Sequence, residues 1–263
     1  MKSILTWFTA QPRAVQMVLA ANALLAVVVF VDAPVHRAIR GLDPGAVAVM
    51  QRVTLLGRSD WSLILPLIAG VLAWLAARHL TRRDVLALRQ VQALAGYLLA
   101  TGAISGLAAS FAKNVIGRMR PYAMPDPGVL VFQPFDFHAA FASFPSGHAT
   151  TVMALAVGLS VIWPRLAPAF WVVGLWGALS RVLIGAHWPS DVIAGGLLGA
   201  AVAIWLRGVF ARRGWGFRRD PATGQIARRL SGRALARVLR TDGRHPATAP
   251  RLPRRLDAWI GWS

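Results

Sequence analysis

The chain has 263 residues, of which 56% are hydrophobic and 15% are charged, whereas a typical soluble domain carries about 25% charged residues. All ten acidic residues are Asp, and 29 basic residues give a formal net charge of +19. The absence of cysteine excludes disulfides, thiolate metal sites and a cysteine nucleophile. This composition argues against a soluble globular protein. The basic excess predicts anionic partners, and lipid headgroups fit so apolar a chain better than nucleic acid does.

Six apolar segments predict an all-α fold, a polytopic membrane helix bundle with about six transmembrane helices. They cover residues 14–31, 61–77, 91–112, 148–163, 167–184 and 192–210. The first segment follows two basic residues, so a signal peptide is the alternative, but its length and the Arg-bearing stretch after it favour a retained span. Glycines four residues apart, at Gly102 and Gly106 and at Gly195 and Gly199, predict close helix contacts.

The distribution of basic residues predicts the orientation of the bundle. From Arg207 onward the chain has 14 basic and 3 acidic residues, and the connection at 78–89 adds four more basic residues. The positive-inside rule assigns these regions and the N-terminus to the cytoplasm, although four arginines in the first external loop oppose this assignment. The loops at 113–147 and 185–191 are then both on the outer face.

The C-terminal region, residues 211–263, is predicted to be a basic cytoplasmic tail after a six-span membrane domain at 1–210. Its apolar residues Leu230, Ala234, Leu235, Val238 and Leu239 share one side of a helix, with arginines around the rest. A helix on the inner leaflet, bound to anionic lipid, is one interpretation; a solvated, partly disordered tail is the other.

The first polar cluster, at 113–121, follows the third apolar segment. Lys113 and Arg120 are seven residues apart, which is about two helical turns, so both are expected on one side of a helix that Pro121 ends. Two fixed cations can bind the oxygens of a phosphoryl group. The alternative for this cluster alone is a positively charged helix end at the membrane surface.

The second cluster, Pro145-Ser146-Gly147-His148, precedes the fourth apolar segment. Ser146 is a preferred N-cap residue and Gly147 permits close backbone approach. The free N–H groups of the following helix would face an anion, and His148 lies at the same end. On its own, this tetrapeptide is an ordinary helix start.

The third cluster, at 180–191, contains Arg181, His187 and Asp191. An Asp four residues after a His can accept a hydrogen bond from Nδ1–H, which leaves Nε2 unprotonated as a nucleophile requires. Asp191 at a helix start is also a good cap by itself. Two histidines, one Asp and three cations on one face of a membrane protein indicate phosphate chemistry.

Together, the three clusters resemble the three-part signature of the type 2 phosphatidic acid phosphatases. Lys113 is followed by six residues and Arg120-Pro121; Pro-Ser-Gly-His is complete at 145–148; Ser180-Arg181 is followed by five residues, His187, three residues and Asp191. The match spans 113–191 with every signature position filled. Vanadate-dependent haloperoxidases share the signature, but these relatives are soluble and generally larger.

The resemblance implies a role for each signature residue. His187 is expected to attack phosphorus and form a phosphohistidine, with Asp191 orienting its ring, and His148 to protonate the leaving group and then activate water. The phosphoryl oxygens are expected to be bound by Lys113, Arg120, Ser146, the Gly147 amide and Arg181. No cofactor and no metal are implied; His148, His187 and Asp191 form a conceivable ligand set, but three nearby cations would repel a divalent ion.

The expected substrate is a lipid phosphate or pyrophosphate in the bilayer, and no obligate protein partner is inferred. Five phenylalanines in the loop before Pro145 suggest a segment on the membrane surface, or simply rings that pack the loop onto the helices: Phe132, Phe135, Phe137, Phe141 and Phe144. The Arg- and Ala-rich composition looks like that of a GC-rich bacterial genome, which favours undecaprenyl pyrophosphate in the inner membrane. Lipid A 1-phosphate is the closest alternative, followed by phosphatidate and phosphatidylglycerol phosphate.

Overall fold

The computed structural model of the protein describes residues 4–79, 82–123 and 128–228. Two short strands, β1 (Phe217–Arg219) and β2 (Ile226–Arg228), follow the helices. The helices are α1 (Ile4–Ala10), α2 (Arg13–Phe30), α3 (Asp32–Ile39), α4 (Pro44–Val53), α5 (Ser59–Ala76), α6 (Arg82–Ile116), α7 (Gly147–Ile162), α8 (Ala167–Leu183) and α9 (Pro189–Arg212).

Five helical segments in the described part of the chain are long and apolar enough to cross a membrane: Arg13–Phe30, Pro44–Ala76, Val85–Ile116, Pro164–Leu183 and Pro189–Arg212. They confirm the prediction of a helical membrane bundle. The fourth predicted segment forms α7, whose 16 residues extend about 24 Å, less than a hydrocarbon core of about 30 Å. Its crossing of the membrane stays a prediction.

The centre of the bundle is α7, which packs against α6, α8 and α9. Eleven of its 16 residues are buried, so it has no face that distinguishes core from lipid. This all-round apolar character is typical of a helix enclosed by other helices. Because α7 is short and buried, its N-terminal turn lies inside the protein. It is close to the segment that follows α6 and to the loop that precedes α9.

Close contact between α7 and α9 depends on two of the glycines identified in the sequence. A Cβ added to Gly195 would lie 2.4 Å from the Ser146 carbonyl oxygen, and one added to Gly199 would lie 2.2 Å from the Thr150 oxygen. At Gly106, by contrast, an added Cβ would meet nothing within 4 Å. The prediction of close packing is therefore confirmed for Gly195 and Gly199 and wrong for Gly106.

The two strands form an antiparallel hairpin that packs against α9. Phe217 is fully buried in a cluster with Tyr97 and Leu206, and the Gln90 side chain donates a hydrogen bond to the Gly216 oxygen. The hairpin has no counterpart in the prediction from the sequence, because its strands are only three residues long. The apolar positions of the predicted tail helix lie outside the described residues.

The glycine contacts generate a prediction about stability. Gly199→Ala forces backbone atoms of α7 and α9 apart, and overpacking of this kind costs about 1–3 kcal/mol. We expect the Tm of the detergent-solubilised protein to fall by about 3–10 °C. Gly106→Ala is the matched control and should leave Tm unchanged or raise it slightly, because alanine favours the helix. Equal Tm values for the two variants would contradict the proposed packing role of Gly199.

Candidate active site

The site lies where three connections meet: the chain after α6, the turn before α7 and the loop between α8 and α9. Two backbone contacts join these connections. The Ser146 N–H donates to the backbone carbonyl oxygen of Asp191 (3.0 Å), and the Ser143 N–H donates to the backbone carbonyl oxygen of Arg118 (3.0 Å). All three predicted motifs are therefore brought together, although they are far apart in the sequence.

The first motif differs from its prediction, because α6 ends at Ile116 and not at Pro121. Gly117 adopts a positive φ of 62°, and a Cβ there would lie 1.7 Å from the Gln133 oxygen. Glycine permits this sharp exit from the helix. Lys113 and Arg120 are therefore not two turns apart on one helix. Arg120 instead follows an extended segment, and its guanidinium donates to the Ala142 oxygen at 3.1 and 3.3 Å.

Lys113 nevertheless lies beside the N-terminal end of α7. Its ammonium nitrogen would be 3.3 Å from a Cβ added to Gly147, so the glycine leaves room for the cation beside the helix start. Arg120 and Arg181 both interact electrostatically with Lys113. The bent chain achieves the juxtaposition of cations that a continuous helix was expected to provide.

The second motif supplies a free hydroxyl at the helix start. Ser146 is the N-cap residue of α7, but its side chain makes no capping hydrogen bond, so the expectation of a side-chain cap is wrong. Its Oγ is buried and has no hydrogen-bond partner in the part of the chain described here. Buried polar groups are nearly always paired in folded proteins. An unpaired hydroxyl at a helix N-terminus is suited to bind an anion.

His148 occupies the first turn of α7 and faces a positively charged environment. Lys113, Arg120, Arg181 and His187 all interact electrostatically with it. Its backbone is covered by the turn after α4, where a Cβ added to Gly57 would come within 2.9 Å of the His148 Cβ. Two histidines and three cations therefore share one site.

Arg181 projects from the last turn of α8. One terminal nitrogen donates to the Thr54 hydroxyl at 2.9 Å, and its Nε is buried with no acceptor among the described residues. The guanidinium is thus held from one end by protein. The Nε–H is available to a phosphoryl oxygen, which arginine binds well because its donors form a planar fork.

The third motif places Asp191 beside His187. The His187 Nδ1 lies 3.6 Å from the Asp191 Oδ2, longer than a hydrogen bond. The same oxygen accepts from the Trp188 N–H (2.9 Å) and the Ser143 hydroxyl (2.5 Å). Catalytic hydrogen bonds are often long in unliganded structures and tighten when substrate binds.

Burial controls the protonation of His187, which lies between α8 and α9 and is only 2% exposed. Desolvation lowers its pKa to about 4, and the positive charges of Arg120 and Arg181 act in the same direction. The Asp191 carboxylate raises the pKa of His187 but does not compensate for burial. The imidazole is therefore neutral near pH 7, as a nucleophile must be.

Several residues that support the site are not among those predicted from the sequence. Arg118 and Asp32 form a buried ion pair, and Arg118 also pairs with Asp191. Ser143, Ser190 and Trp188 are buried around the same carboxylates. The sequence contains one signal for Asp32, because it directly follows the first apolar segment. An acidic residue within or at the end of a membrane span is usually paired with another polar group and often functional.

No group of three or more His, Asp, Glu or Cys side chains in the described ranges has the geometry of a metal site. Within the conceivable set of ligands, Asp191 is already engaged. Its Oδ1 accepts from Arg118 and its Oδ2 accepts from Ser143 and Trp188. The donor set around the two histidines is cationic and fits an anion.

Known proteins are similar to this chain over the region that carries the three motifs. Residues 93–215 match the family model of the PAP2 superfamily. A protein named lipid A 1-phosphatase from Rhizobium etli is 36% identical over 211 residues, covering 80% of this chain and 90% of that protein. A protein named undecaprenyl-diphosphatase from Sulfolobus acidocaldarius is 38% identical over 96 residues, covering 35% of this chain and 43% of its own length.

A solved structure shares the fold. The crystal structure of a transmembrane PAP2-type phosphatidylglycerolphosphate phosphatase from Bacillus subtilis aligns over 74% of this chain and 94% of that chain, with a TM-score of 0.53 and 23% identity. The family-model match includes all three motifs, and the Rhizobium relative aligns over nearly its full length. The resemblance noted in the sequence is confirmed: the chain belongs to the PAP2 superfamily, the type 2 phosphatidic acid phosphatase family.

Proposed function

We propose that the protein is an integral membrane lipid phosphatase, which transfers a phosphoryl group from a lipid phosphate or pyrophosphate to His187 and then to water. One observation carries the proposal. A neutral, buried imidazole lies beside an ionised Asp191 and among three cations, where the Ser146 hydroxyl and the Arg181 Nε have no acceptor in the described structure. These free donors fit phosphoryl oxygens.

In the first step, His187 attacks phosphorus in line with the leaving oxygen. A nitrogen–phosphorus bond forms while the bond to the leaving oxygen breaks. His148, whose protonated form is favoured by the negative charge of the bound phosphate, donates a proton to that oxygen. Lys113, Arg120 and Arg181 neutralise the equatorial oxygens as charge builds. The imidazole becomes cationic when it is phosphorylated, so the nearby Asp191 carboxylate stabilises the product of this step.

In the second step, His148 accepts a proton from water, and the water oxygen attacks the phosphohistidine. The nitrogen–phosphorus bond breaks and His187 returns to its neutral form. Both histidines end in their starting states with one phosphate released, so the cycle is balanced. No metal ion is needed, because the three cations supply the positive charge and Asp191 is held by Arg118, Ser143 and Trp188.

The surroundings of the site favour a substrate that is already in the bilayer. An apolar groove between α4 and α8 is lined by Leu42, Ala46, Val47, Val49, Met50 and Leu183. Leu183 is two residues after Arg181 in the sequence. The Arg181 guanidinium donates a hydrogen bond to the hydroxyl of Thr54, the residue after α4. A lipid whose phosphate lies against Arg181 could therefore place a hydrocarbon chain in this groove.

The loop before α7 also favours contact with lipid. Phe132, Phe135 and Phe137 are exposed, and the loop is tied to the end of α6 by a hydrogen bond from the Phe135 N–H to the Asn114 oxygen. Large apolar rings on an anchored loop suit the interfacial layer of a membrane. The excess of basic residues near the other end of the bundle supports a cytoplasmic C-terminus and an active site that faces the periplasm of a bacterial inner membrane.

Among envelope lipids, the 1-phosphate of lipid A is the first candidate, because the Rhizobium relative with that name aligns over 90% of its length. Undecaprenyl pyrophosphate, which the composition favoured, is the second and is supported by the shorter Sulfolobus match. Both lipids carry the phosphoryl group that the described side chains are proposed to bind, and they differ in the rest of the molecule. An assay on both lipids is therefore needed to distinguish them.

Phosphate release from a lipid panel tests this proposal. The panel is lipid A 1-phosphate, undecaprenyl pyrophosphate, phosphatidate and phosphatidylglycerol phosphate, assayed with purified protein in excess chelator. We expect release from an envelope lipid, and a fall of at least about a thousandfold in His187→Ala because the nucleophile is lost. His79→Ala, an exposed histidine beyond α5, is the control and should retain activity. Loss of wild-type turnover in chelator would show that a metal is required.

An activated aryl phosphate tests the phosphohistidine. Its leaving group needs no proton, so His148→Ala should still be phosphorylated but should hydrolyse the intermediate slowly. We expect a burst of phenol release equal to the enzyme concentration and a trapped phosphate on His187 that is labile in acid and stable in alkali. Turnover without any burst or trapped phosphate in this variant would instead indicate direct attack by water.

The protonation of His187 can be measured directly. Burial lowers its pKa to about 4, from about 6.5 for an unperturbed imidazole, so the ring should be neutral throughout pH 5–8. NMR of protein labelled with ¹⁵N-histidine, with His187→Gln to assign the signal, checks this expectation. A titration of the His187 signal near pH 6.5 would contradict the desolvated site described above.

A further inference from the structure

Arg118 lies inside the first motif, yet it does not face the phosphate site. Its side chain is buried, and every N–H of its guanidinium has an acceptor. Nε and one terminal nitrogen donate to the Val129 oxygen (3.1 and 2.9 Å). The other contacts are to Ser190 Oγ (2.7 Å), Asp191 Oδ1 (2.6 Å) and Asp32 Oδ2 (2.8 Å). Arg118 therefore has no donor left for a substrate.

Asp32 completes the same network from the first residue of α3. Its Oδ1 accepts from the Ser190 N–H at 2.9 Å, and its Oδ2 accepts from the Ser190 hydroxyl at 2.5 Å as well as from Arg118. Both carboxylate oxygens are thus occupied, and the side chain is fully buried. Through these contacts, a residue just beyond α2 holds the first turn of α9, which carries Asp191.

The network fixes how Asp191 is turned. The torsion of a carboxylate about its last bond is broad and weakly restrained by itself. Here Arg118 binds Oδ1, while Ser143 and the Trp188 N–H bind Oδ2, the oxygen nearest His187. The bonds on each oxygen keep Oδ2 directed at the imidazole.

The network also fixes the charge of Asp191. Two carboxylates that share a buried site cannot both remain ionised without a cation between them. Arg118 supplies that cation, and it divides its charge between Asp32 and Asp191. Removing Arg118 leaves two buried negative charges, whereas removing the charge of Asp32 leaves Arg118 to neutralise Asp191 alone.

We propose that Asp32 and Arg118 are positioning residues for the nucleophile: Arg118 keeps Asp191 ionised, and the two residues together hold Asp191 turned toward His187 without touching the substrate. The inference rests on the proposed phosphatase function. It assigns a catalytic effect to a buried acid on the segment after α2, outside all three signature motifs. Besides Asp191 from α9, the charged and titratable groups around His187 are Arg120 from the chain after α6, Arg181 from α8 and His148 from α7.

Two substitutions with opposite charge effects test the proposal. Arg118→Gln removes the cation, so the site should bind a proton at a higher pH than in the wild type, on His187 or on a carboxylate. The acidic limb of kcat/KM should then move upward by about one pH unit or more. Asp32→Asn removes an anion, so the limb should move downward. The substrate's own ionisation is the same for every variant and does not affect the comparison.

The size and type of the kinetic effect are also expected. Loss of a supporting contact of this kind lowers activity by about 10- to 100-fold. The loss should fall on kcat with KM unchanged, because neither residue touches the phosphate. Arg118→Lys keeps the positive charge and should restore the wild-type position of the acidic limb, with kcat between those of wild type and Arg118→Gln.

The matched control is Asp60→Asn, which removes the same charge from an exposed Asp–Arg pair, Arg58 to Asp60 at 2.7 Å. It should retain the wild-type kcat and pH profile. If Asp32→Asn or Arg118→Gln does not fold, Ser190→Ala and Arg118→Lys take their place. Ser190→Ala deletes only the hydroxyl that joins Asp32 to Arg118 and should lower kcat with KM unchanged.

The ¹⁵N titration of His187 is recorded for the same variants and does not depend on activity. Folded Arg118→Gln or Asp32→Asn protein with wild-type kcat, or with lower kcat but no shift in either the acidic limb or the His187 titration, would overturn the positioning role. A folded Ser190→Ala variant with wild-type kcat would overturn it as well. A wild-type protein that releases no phosphate from any lipid would count against the proposed function, while the NMR shifts would still decide the role of Asp32 and Arg118.

Discussion

Direct contact between the backbones of α7 and α9 is the constraint on which the site depends. Gly195 lies against the Ser146 carbonyl and Gly199 against the Thr150 carbonyl, at distances that exclude any side chain. This approach brings the first turn of α7, with Ser146 and His148, to the first turn of α9, with Asp191. The hydrogen bond from the Ser146 N–H to the backbone carbonyl oxygen of Asp191 forms at that point. Packing deep in the bundle thus determines the separation of two of the three signature motifs at its end.

This arrangement concentrates positive charge where no acid of the described chain balances it. Lys113, Arg120 and Arg181 interact with one another and with His148, and this repulsion opposes folding when the site is unliganded. The buried hydroxyl of Ser146 adds an unpaired polar group. An anion that binds here relieves both costs, so phosphate or a phosphate analogue should stabilise the folded state by mass action. Such a site is preorganised for the charge that develops on the phosphoryl oxygens.

The sequence predicted the membrane helices and the residue types of the site, but not the path of the chain that joins them. Apolar length identified the five long helices and α7, because burial in lipid or protein requires it. The bend after Ile116 was missed, since Gly117 also fits a helix interior and only the contact with Gln133 shows why it is left-handed. The role of Ser146 was misjudged for a related reason: its N-cap position is local, but whether its hydroxyl caps the helix depends on the surroundings.

The hydrogen bonds of the arginines separate one that is neutralised within the protein from those proposed to bind substrate. Arg118 and Arg120 are two residues apart in one motif and look equivalent in the sequence. Arg118 has an acceptor for each of its donors and two carboxylate partners, so its charge is neutralised within the protein. Within the described residues, Arg120 donates to one carbonyl and Arg181 to one hydroxyl, and neither pairs with a carboxylate. Their positive charges are therefore free to pair with an external anion. Phosphate has the negative charge and the oxygen acceptors that these two arginines do not find within the described protein.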